Sequence, residues 1–356
     1  MNTPEKLEKT QIKWHRVPVD KAVMSKLTER NDAQGWWQFG GHLALVICTG
    51  ALAFYSWYHW PVIVTVLLCY LHGTFYTFLG PSAAIHELSH KSTFKTPWLN
   101  DMAIRIVSFL TLWNFHHYRS SHVKHHQFTT YDDLDQEIIQ PLTVNPMTWF
   151  NVFVFNTELF KMSVMNNLRY AFGKYEGTWE PRILPEGSKQ RQEATNWARF
   201  VLVGNLILLA VFVYFKLWPL IVLVTLGSFI GNWLAFFVGF PQHAGLPSNV
   251  PDFRLCCRTF ILHPFPSFLY WRMNYHIEHH MYPSVPCYHL GKLRQAMESH
   301  MPEAKIGLCA TWKEIFAVLK RQKQEPGYAF YAQLPANDVY EEAGDESVLR
   351  EARSEA

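Results

Sequence analysis

Two stretches near the start of the chain carry no formal charge. Residues 36–60 read WWQFGGHLALVICTGALAFYSWYHW and residues 61–84 read PVIVTVLLCYLHGTFYTFLGPSAA. Each exceeds the roughly 20 residues that cross a hydrocarbon core about 30 Å thick. Trp and Tyr stand at their ends, where amphipathic rings favour the membrane interface. A second pair of apolar runs, residues 200–215 and 217–240, is separated only by Lys216. Uncharged runs this long are seldom the buried helices of a soluble core. The pattern predicts an all-α, polytopic membrane protein with four transmembrane helices in two hairpins, at about 36–60, 61–84, 200–215 and 217–240. Two shorter apolar stretches, residues 102–115 and 147–165, are too short or too mixed to cross and are expected to lie at the interface or half buried.

Four crossings put residues 1–35, residues 85–199 and the C-terminal third on one side. Lys6, Lys9, Lys13, Arg16, Lys21, Lys26 and Arg30 crowd the first of these, and Lys91, Lys95, Arg105, Arg119 and Lys124 the second; the opposite turns offer Lys216. The positive-inside rule therefore assigns the large segments to the cytoplasm. The expected organisation is a cytoplasmic N-terminal segment (1–35), a membrane domain (36–300) with a cytoplasmic helical cap, and a cytoplasmic C-terminal segment (301–356) whose end, from Ala336, is an acidic, solvated tail. Residues 1–35 have no apolar core, so no cleavable signal peptide is expected, and the tail carries no retention or lipidation signal.

Composition narrows the function. A net charge of +3 is too small to point to nucleic acid. The six cysteines include no CxxC pair, which argues against a zinc ribbon or a thioredoxin-type redox pair. The unusual residue is histidine, with 18 in the chain, and they cluster.

Three dense boxes lie on the side assigned to the cytoplasm: His86-Glu87-Leu88-Ser89-His90, His122-Val123-Lys124-His125-His126 and His276-Ile277-Glu278-His279-His280. Spacings of three and four turn helical side chains to one face, so each box can aim two or three imidazoles at one point. Neutral imidazole binds iron, zinc, copper and nickel well. A single four-coordinate zinc needs only three or four protein ligands, whereas eight imidazoles suffice for two metals with positions left open. His243, at the cytoplasmic end of the fourth run, is a ninth candidate. His116 and His117 are expected to be structural or to sit behind the ligands, and His42 and His72, inside spans, to make interhelical hydrogen bonds. Glu87, Asp132, Asp135 and Glu278 are candidates for fixing imidazole tautomers, with capping or solvated roles as the alternative.

The first box also satisfies the HExxH pattern of zinc proteases, with Glu87 as general base, but that reading gives the other six imidazoles no work. A metal transporter would carry ionisable groups along its spans, where only His42 and His72 are found.

HxxxH, HxxHH and HxxHH, divided by two membrane hairpins, resemble the integral-membrane fatty acid desaturase and hydroxylase superfamily over roughly residues 36–300. Its most specific parts are residues 274–283 (NYHIEHHMYP) and 118–126 (YRSSHVKHH), with the acidic stretch 131–135 (YDDLD) also similar. The resemblance implies a non-haem di-iron centre: two iron ions, O2 as co-substrate, hydrogen abstraction from an unactivated C–H bond and electrons from a separate donor. It implies His86, His90, His122, His125, His126, His276, His279 and His280 as ligands, with His243 as the extra one, and no catalytic residue beyond the metal ligands. Some desaturases place an Asn four residues before that ninth His. Here the position is Gly239, which leaves a water or nothing. The third box resembles acyl-chain desaturases, whereas His86 to Lys91 (HELSHK) resembles alkane hydroxylases. Desaturation of an acyl chain or related lipid is the favoured expectation, with hydroxylation of a lipid-like or hydrocarbon substrate as the alternative. The His-Pro-Gly-Gly signature of a fused cytochrome b5 domain is absent from the sequence, so the expected partner is a separate ferredoxin, rubredoxin or cytochrome b5 type carrier.

Overall fold

The computed structural model describes residues 11–335 apart from Pro141. The acidic tail, Lys6 and Lys9 lie outside the described residues. The helix Asp32–His59 starts at Asn31, whose side chain accepts from the backbone N–H of Ala33 and Gln34 at 2.8 and 3.2 Å. It stops before Pro61, which disfavours helical geometry in the residue ahead of it. The return helix, Val62–Tyr76, runs on through a 3-10 turn, Thr77–Leu79, to a short helix, Ala84–Ser89, after an interruption at Gly80 and Pro81. The first histidine box therefore rides directly on the continuation of the second apolar segment.

Among the described residues, Asp32–His59, Val62–Ser89 and Lys189–Tyr214 are long and apolar enough to cross a membrane. Ile47, Leu52, Val62, Ile63, Val66, Leu67, Leu206 and Ile207 on these helices point outward and are exposed. A hydrocarbon surrounding suits that arrangement, because it adds no cost for apolar contact. The two histidines inside these helices turn inward and are hydrogen-bonded. His42 Nε2 lies 3.0 Å from the Phe75 carbonyl, and its Nδ1 accepts from Trp271 Nε1 at 2.9 Å. His72 Nε2 lies 2.9 Å from the Leu223 carbonyl. These are the interhelical bonds expected of both histidines.

The fourth apolar run is not a continuous helix. After Lys216, with φ of 56°, it comprises a turn of helix (Trp218–Leu220), a π turn (Ile221–Thr225), a 3-10 turn (Gly227–Phe229) and a helix (Trp233–Gly239). Carbonyls released from regular pairing find side-chain donors: His72 serves Leu223 and Tyr76 Oη serves Val224 at 3.2 Å. Non-helical backbone at membrane depth is tolerated where protein covers it in this way. The cover is close. A Cβ at Gly73 would meet the Ile230 carbonyl oxygen at 2.5 Å, and Gly231, with φ of +65°, sits 2.7 Å from the Tyr70 carbonyl by the same measure.

Pro97–Leu110 and Phe115–Phe128 pack on Ala84–Ser89, and Thr157–Ala171 and Phe115–Phe128 pack on Lys189–Tyr214. The apolar stretch 147–165 becomes two helices, Pro146–Phe153 and Thr157–Ala171. Among the described residues, sheet is limited to a parallel pair, Phe260–Ile261 with Lys305–Ile306, a small departure from the all-α expectation. Residues of the N-terminal segment do not stand apart. Trp14 stacks on Phe253 with ring centroids 4.0 Å apart, His15 N–H donates to the Pro251 carbonyl at 2.8 Å, and Tyr282 Oη donates to the Val17 carbonyl at 2.6 Å.

Because the Gly73 contact is with backbone, which cannot rotate away, Gly73→Ala is expected to destabilise the protein by about 1–3 kcal/mol. Thermal unfolding in detergent checks this, with Gly327→Ala, which would meet nothing within 4 Å, as the neutral control.

Candidate metal centre

The three boxes arrive on short helical pieces. His86 and His90 come from Ala84–Ser89 and its C-terminal cap. His122, His125 and His126 lie on Phe115–Phe128, which starts at Asn114, whose side chain accepts from the His117 N–H. The third box is the helix His276–Met281. His243 follows the 3-10 turn Phe240–Gln242. All nine imidazoles converge, and they sort into two groups: His86, His90, His122, His126 and His279 form one, and His125, His243, His276 and His280 the other.

The sorting follows from helix geometry. Residues four apart lie nearly above one another, so His122 and His126 share a group, as do His86 with His90 and His276 with His280. The residue at the intermediate spacing is rotated away and crosses over. His125 joins the pair of the third box, and His279 joins the pairs of the first and second boxes. The second and third box helices thus each contribute to both groups.

Within the groups the Nε2 atoms face one another. His86 and His279 approach to 2.8 Å, His122 and His90 to 3.1 Å, and His126 and His122 to 3.0 Å. In the other group His276 lies 2.9 Å from His243 and 3.1 Å from His280. Six of the opposite ring nitrogens meet acceptors or polar groups, whereas His126 Nδ1 and His279 Nδ1 have no hydrogen-bond partner among the described residues. His243 Nδ1 is 2.9 Å from the Cys256 carbonyl, which only accepts, so this nitrogen carries the proton and Nε2 is a bare lone pair. His125 Nδ1 is 2.8 Å from Asp135 Oδ2, and His122 Nδ1 is 2.9 Å from Glu137 Oε1. His280 Nδ1 lies 3.1 Å from Thr129 Oγ1, His276 Nδ1 lies 3.0 Å from Gln242 Nε2, and His86 Nδ1 lies 3.4 Å from Tyr118 Oη.

Burial, then the neighbouring imidazoles, holds His122, His126, His276, His279 and His280 well below their ordinary value. Burial likewise lowers His90 and His243 to about 3. His125 is the exception: burial lowers it, but the Asp135 carboxylate outweighs burial and raises it. Burial pushes Asp135 up, yet His125 and the backbone N–H groups of Thr130 and Glu137 hold it below the usual carboxylate range. Burial raises Glu137 to about 7. Each neutral ring keeps one bare nitrogen that can accept a proton from a neighbouring ring or bind a cation. The donor set, nitrogen-only and borderline in softness, fits iron, zinc, copper or nickel.

Residues 58–312 match the family model for fatty acid desaturase. The chain belongs to the fatty acid desaturase family. Similarity to individual members of the family is low but broad. The chain is 26% identical over 240 residues to a rice (Oryza sativa subsp. japonica) protein named sphingolipid delta(4)-desaturase DES1-like, a match covering 66% of this chain and 64% of the rice protein, slightly less than two thirds of its length. It is 22% identical over 316 residues to the sn-1 oleoyl-lipid 12-desaturase of Picosynechococcus sp., covering 82% of this chain and 84% of that one. This membership removes the ground for the protease and transporter readings. Glu87 also faces elsewhere than a protease base would: its Oε1 accepts from Ser92 Oγ at 2.8 Å and the Cys287 N–H at 2.9 Å.

The candidate acceptors behind the desaturase-family boxes divide. Asp135 meets an imidazole. Glu87 Oε2 comes within 4.0 Å of His279 Nδ1, beyond a hydrogen bond. Asp132 instead binds Asn249 Nδ2 at 2.7 Å, and Glu278 accepts from Thr259 Oγ1 at 2.6 Å and pairs with Arg294 at 3.2 Å. His116 pairs with Glu193 at 3.4 Å and His117 stacks on Tyr170, so both are structural. Sequence reasoning overlooked Glu137, Gln242 and Thr129. A usable signal existed for the first two, since Glu137 follows the acidic stretch by two residues and Gln242 adjoins His243.

Two outcomes are expected. Asp135→Asn weakens metal binding by about 10–100-fold, the usual cost of losing an outer partner, whereas Asp132→Asn leaves it unchanged; equilibrium dialysis against iron reads both. Second, the unfolded chain takes up protons on His90 and His243 between pH 6.5 and about 3, and the folded chain refuses them. The metal-free protein therefore keeps its stability above about pH 6.5 and loses it progressively as pH falls, measured as a declining urea midpoint.

Proposed function

We propose that the protein is an O2-dependent membrane oxidoreductase with two iron ions, desaturating an acyl chain or a related lipid. The observation that carries this reading is the division of nine converging imidazoles into two adjoining groups at the end of apolar helices. One ion needs no second group. In this reading His86, His90, His122, His126 and His279 hold one iron, and His125, His243, His276 and His280 the other. When bound, the pair supplies O2 activation and removal of hydrogen from an unactivated C–H bond, using electrons from a separate ferredoxin, rubredoxin or cytochrome b5 type carrier.

The chain's own residues have three tasks. Asp135, Glu137 and the Cys256 carbonyl orient His125, His122 and His243, keeping Nε2 turned inward. Burial of seven of the nine rings, with His90 and His126 half-buried, limits access of bulk water, which protects a reactive site. A cavity of about 250 Å³ beside His86, His125, His243 and His276 gives a substrate methylene room to approach. The printed names of both relatives describe lipid substrates, which favours a lipid-borne chain over a soluble one. We read the broken segment 217–240 as the fourth crossing. Four crossings and the basic residues near the boxes then put the iron centre at the cytoplasmic face. Hydroxylation is the second reading, favoured by the form of the first box, HELSHK.

Expression in a host of known lipid profile, followed by mass spectrometry, is expected to yield a lipid lighter by two hydrogens; a gain of one oxygen instead would establish the hydroxylase reading. His279→Ala is expected to abolish the product and lower iron content while the protein still inserts. Full iron loading and activity in that variant would remove His279 from the ligand set.

A further inference from the structure

The two imidazole groups are unequal, five rings against four. The cavity beside them opens on three of the four, His125, His243 and His276, and on only His86 of the five. Gly239 and Tyr270 line the same cavity. The Tyr270 side chain is fully buried, and its hydroxyl has no hydrogen-bond partner among the described residues. A Cβ at Gly239 would find that hydroxyl at 3.9 Å as its nearest neighbour. The lack of a side chain at 239 therefore leaves free space in front of the phenol. Tyr118, the other phenol on the cavity, is already engaged, with its hydroxyl 3.3 Å from the Pro81 carbonyl and 3.4 Å from His86 Nδ1.

A buried hydroxyl without a partner is costly, and native structures rarely leave one. Its position beside the group that is one donor short supplies the missing partner. We propose that Tyr270 donates a hydrogen bond to a water or hydroxide that completes the four-imidazole group in the space left by Gly239. Tyr270 is then a positioning residue for a non-protein ligand, an inference that rests on the di-iron reading above. Its ring is held by packing, edge to face with Phe78 at 5.9 Å, so the hydroxyl is aimed before any ligand arrives. Burial keeps the phenol well above its ordinary value and hence protonated. A donor is what a hydroxide or small anion at that place requires.

Azide is a suitable probe, because it replaces a bound water and keeps the need for a donor. Iron content, the thermal midpoint and azide affinity by optical titration are measured on the full-length, iron-loaded protein, on Tyr270→Phe, and on Tyr270→Phe combined with Gly239→Asn. Tyr270→Phe is expected to retain two irons and its midpoint but to bind azide about tenfold more weakly. The double variant, whose carboxamide offers a new donor in the same space, is expected to recover part of that loss. Unchanged azide affinity in Tyr270→Phe overturns the proposal while leaving the di-iron reading intact. So does loss of iron from that variant, since a group that serves only a non-protein ligand is not needed to hold the metal. A double variant no better than Tyr270→Phe overturns the assignment to the Gly239 space. Failure of the unaltered protein to bind two irons overturns the di-iron reading and this proposal together.

Discussion

Nine imidazoles, seven of them buried and most held neutral, with ring nitrogens converging on two points, form the constraint around which the rest of the molecule is arranged. Protonating the rings would bury positive charges against one another. Outer contacts, from the Cys256 carbonyl behind His243 to the Asp135 carboxylate behind His125, keep a proton on the outward nitrogen of those rings. A divalent cation held by such rings would tie metal binding to stability.

Holding the third box steady takes further buried charge. Glu278 sits inside the box without facing an imidazole. It ties the box helix to Thr259 and to Arg294, which in turn bonds Glu298 and the Pro302 carbonyl. Arg254 and Asp252 form a second fully buried pair nearby. Replacing such pairs by apolar side chains is often neutral for stability, and removing one partner is costly. Here they fix the direction of a short helix that its own six residues could not hold.

Much of this was legible in the chain. Uncharged runs with aromatic ends announced the spans, and three dense boxes announced the cluster. His42 and His72 were legible as interhelical donors because a polar group inside an apolar helix has few other uses. The sorting of rings into two groups was present in the spacing but required the helices' relative orientation to read. Asp132 and Glu137 show the limit of composition. Both are acids in one stretch, yet a turn aims the first at Asn249 and the second at His122. The interrupted fourth run was marked by Pro219, Gly227 and Gly231, but hydropathy is insensitive to them. The irregular backbone passes close to Gly73, a contact that hydropathy cannot register. The role of residues 11–35 was invisible, because nothing in a polar segment says which distant surface it will cover.

That covering carries an implication for biogenesis. Trp14 donates its indole N–H to the Gln127 carbonyl at the end of the second box helix, while Val17 N–H approaches Met281 Sδ at 3.3 Å and its carbonyl receives Tyr282. Residues made before the spans are thus fastened beside a box that leaves the ribosome only after them. The apolar hairpins can enter the bilayer early, from local contacts alone, whereas the imidazole cluster waits for pairings separated by most of the chain, which form slowly. Until then the imidazoles stand apart, so a metal that needs a whole group can be taken up only late in maturation, after the apolar helices have had time to insert.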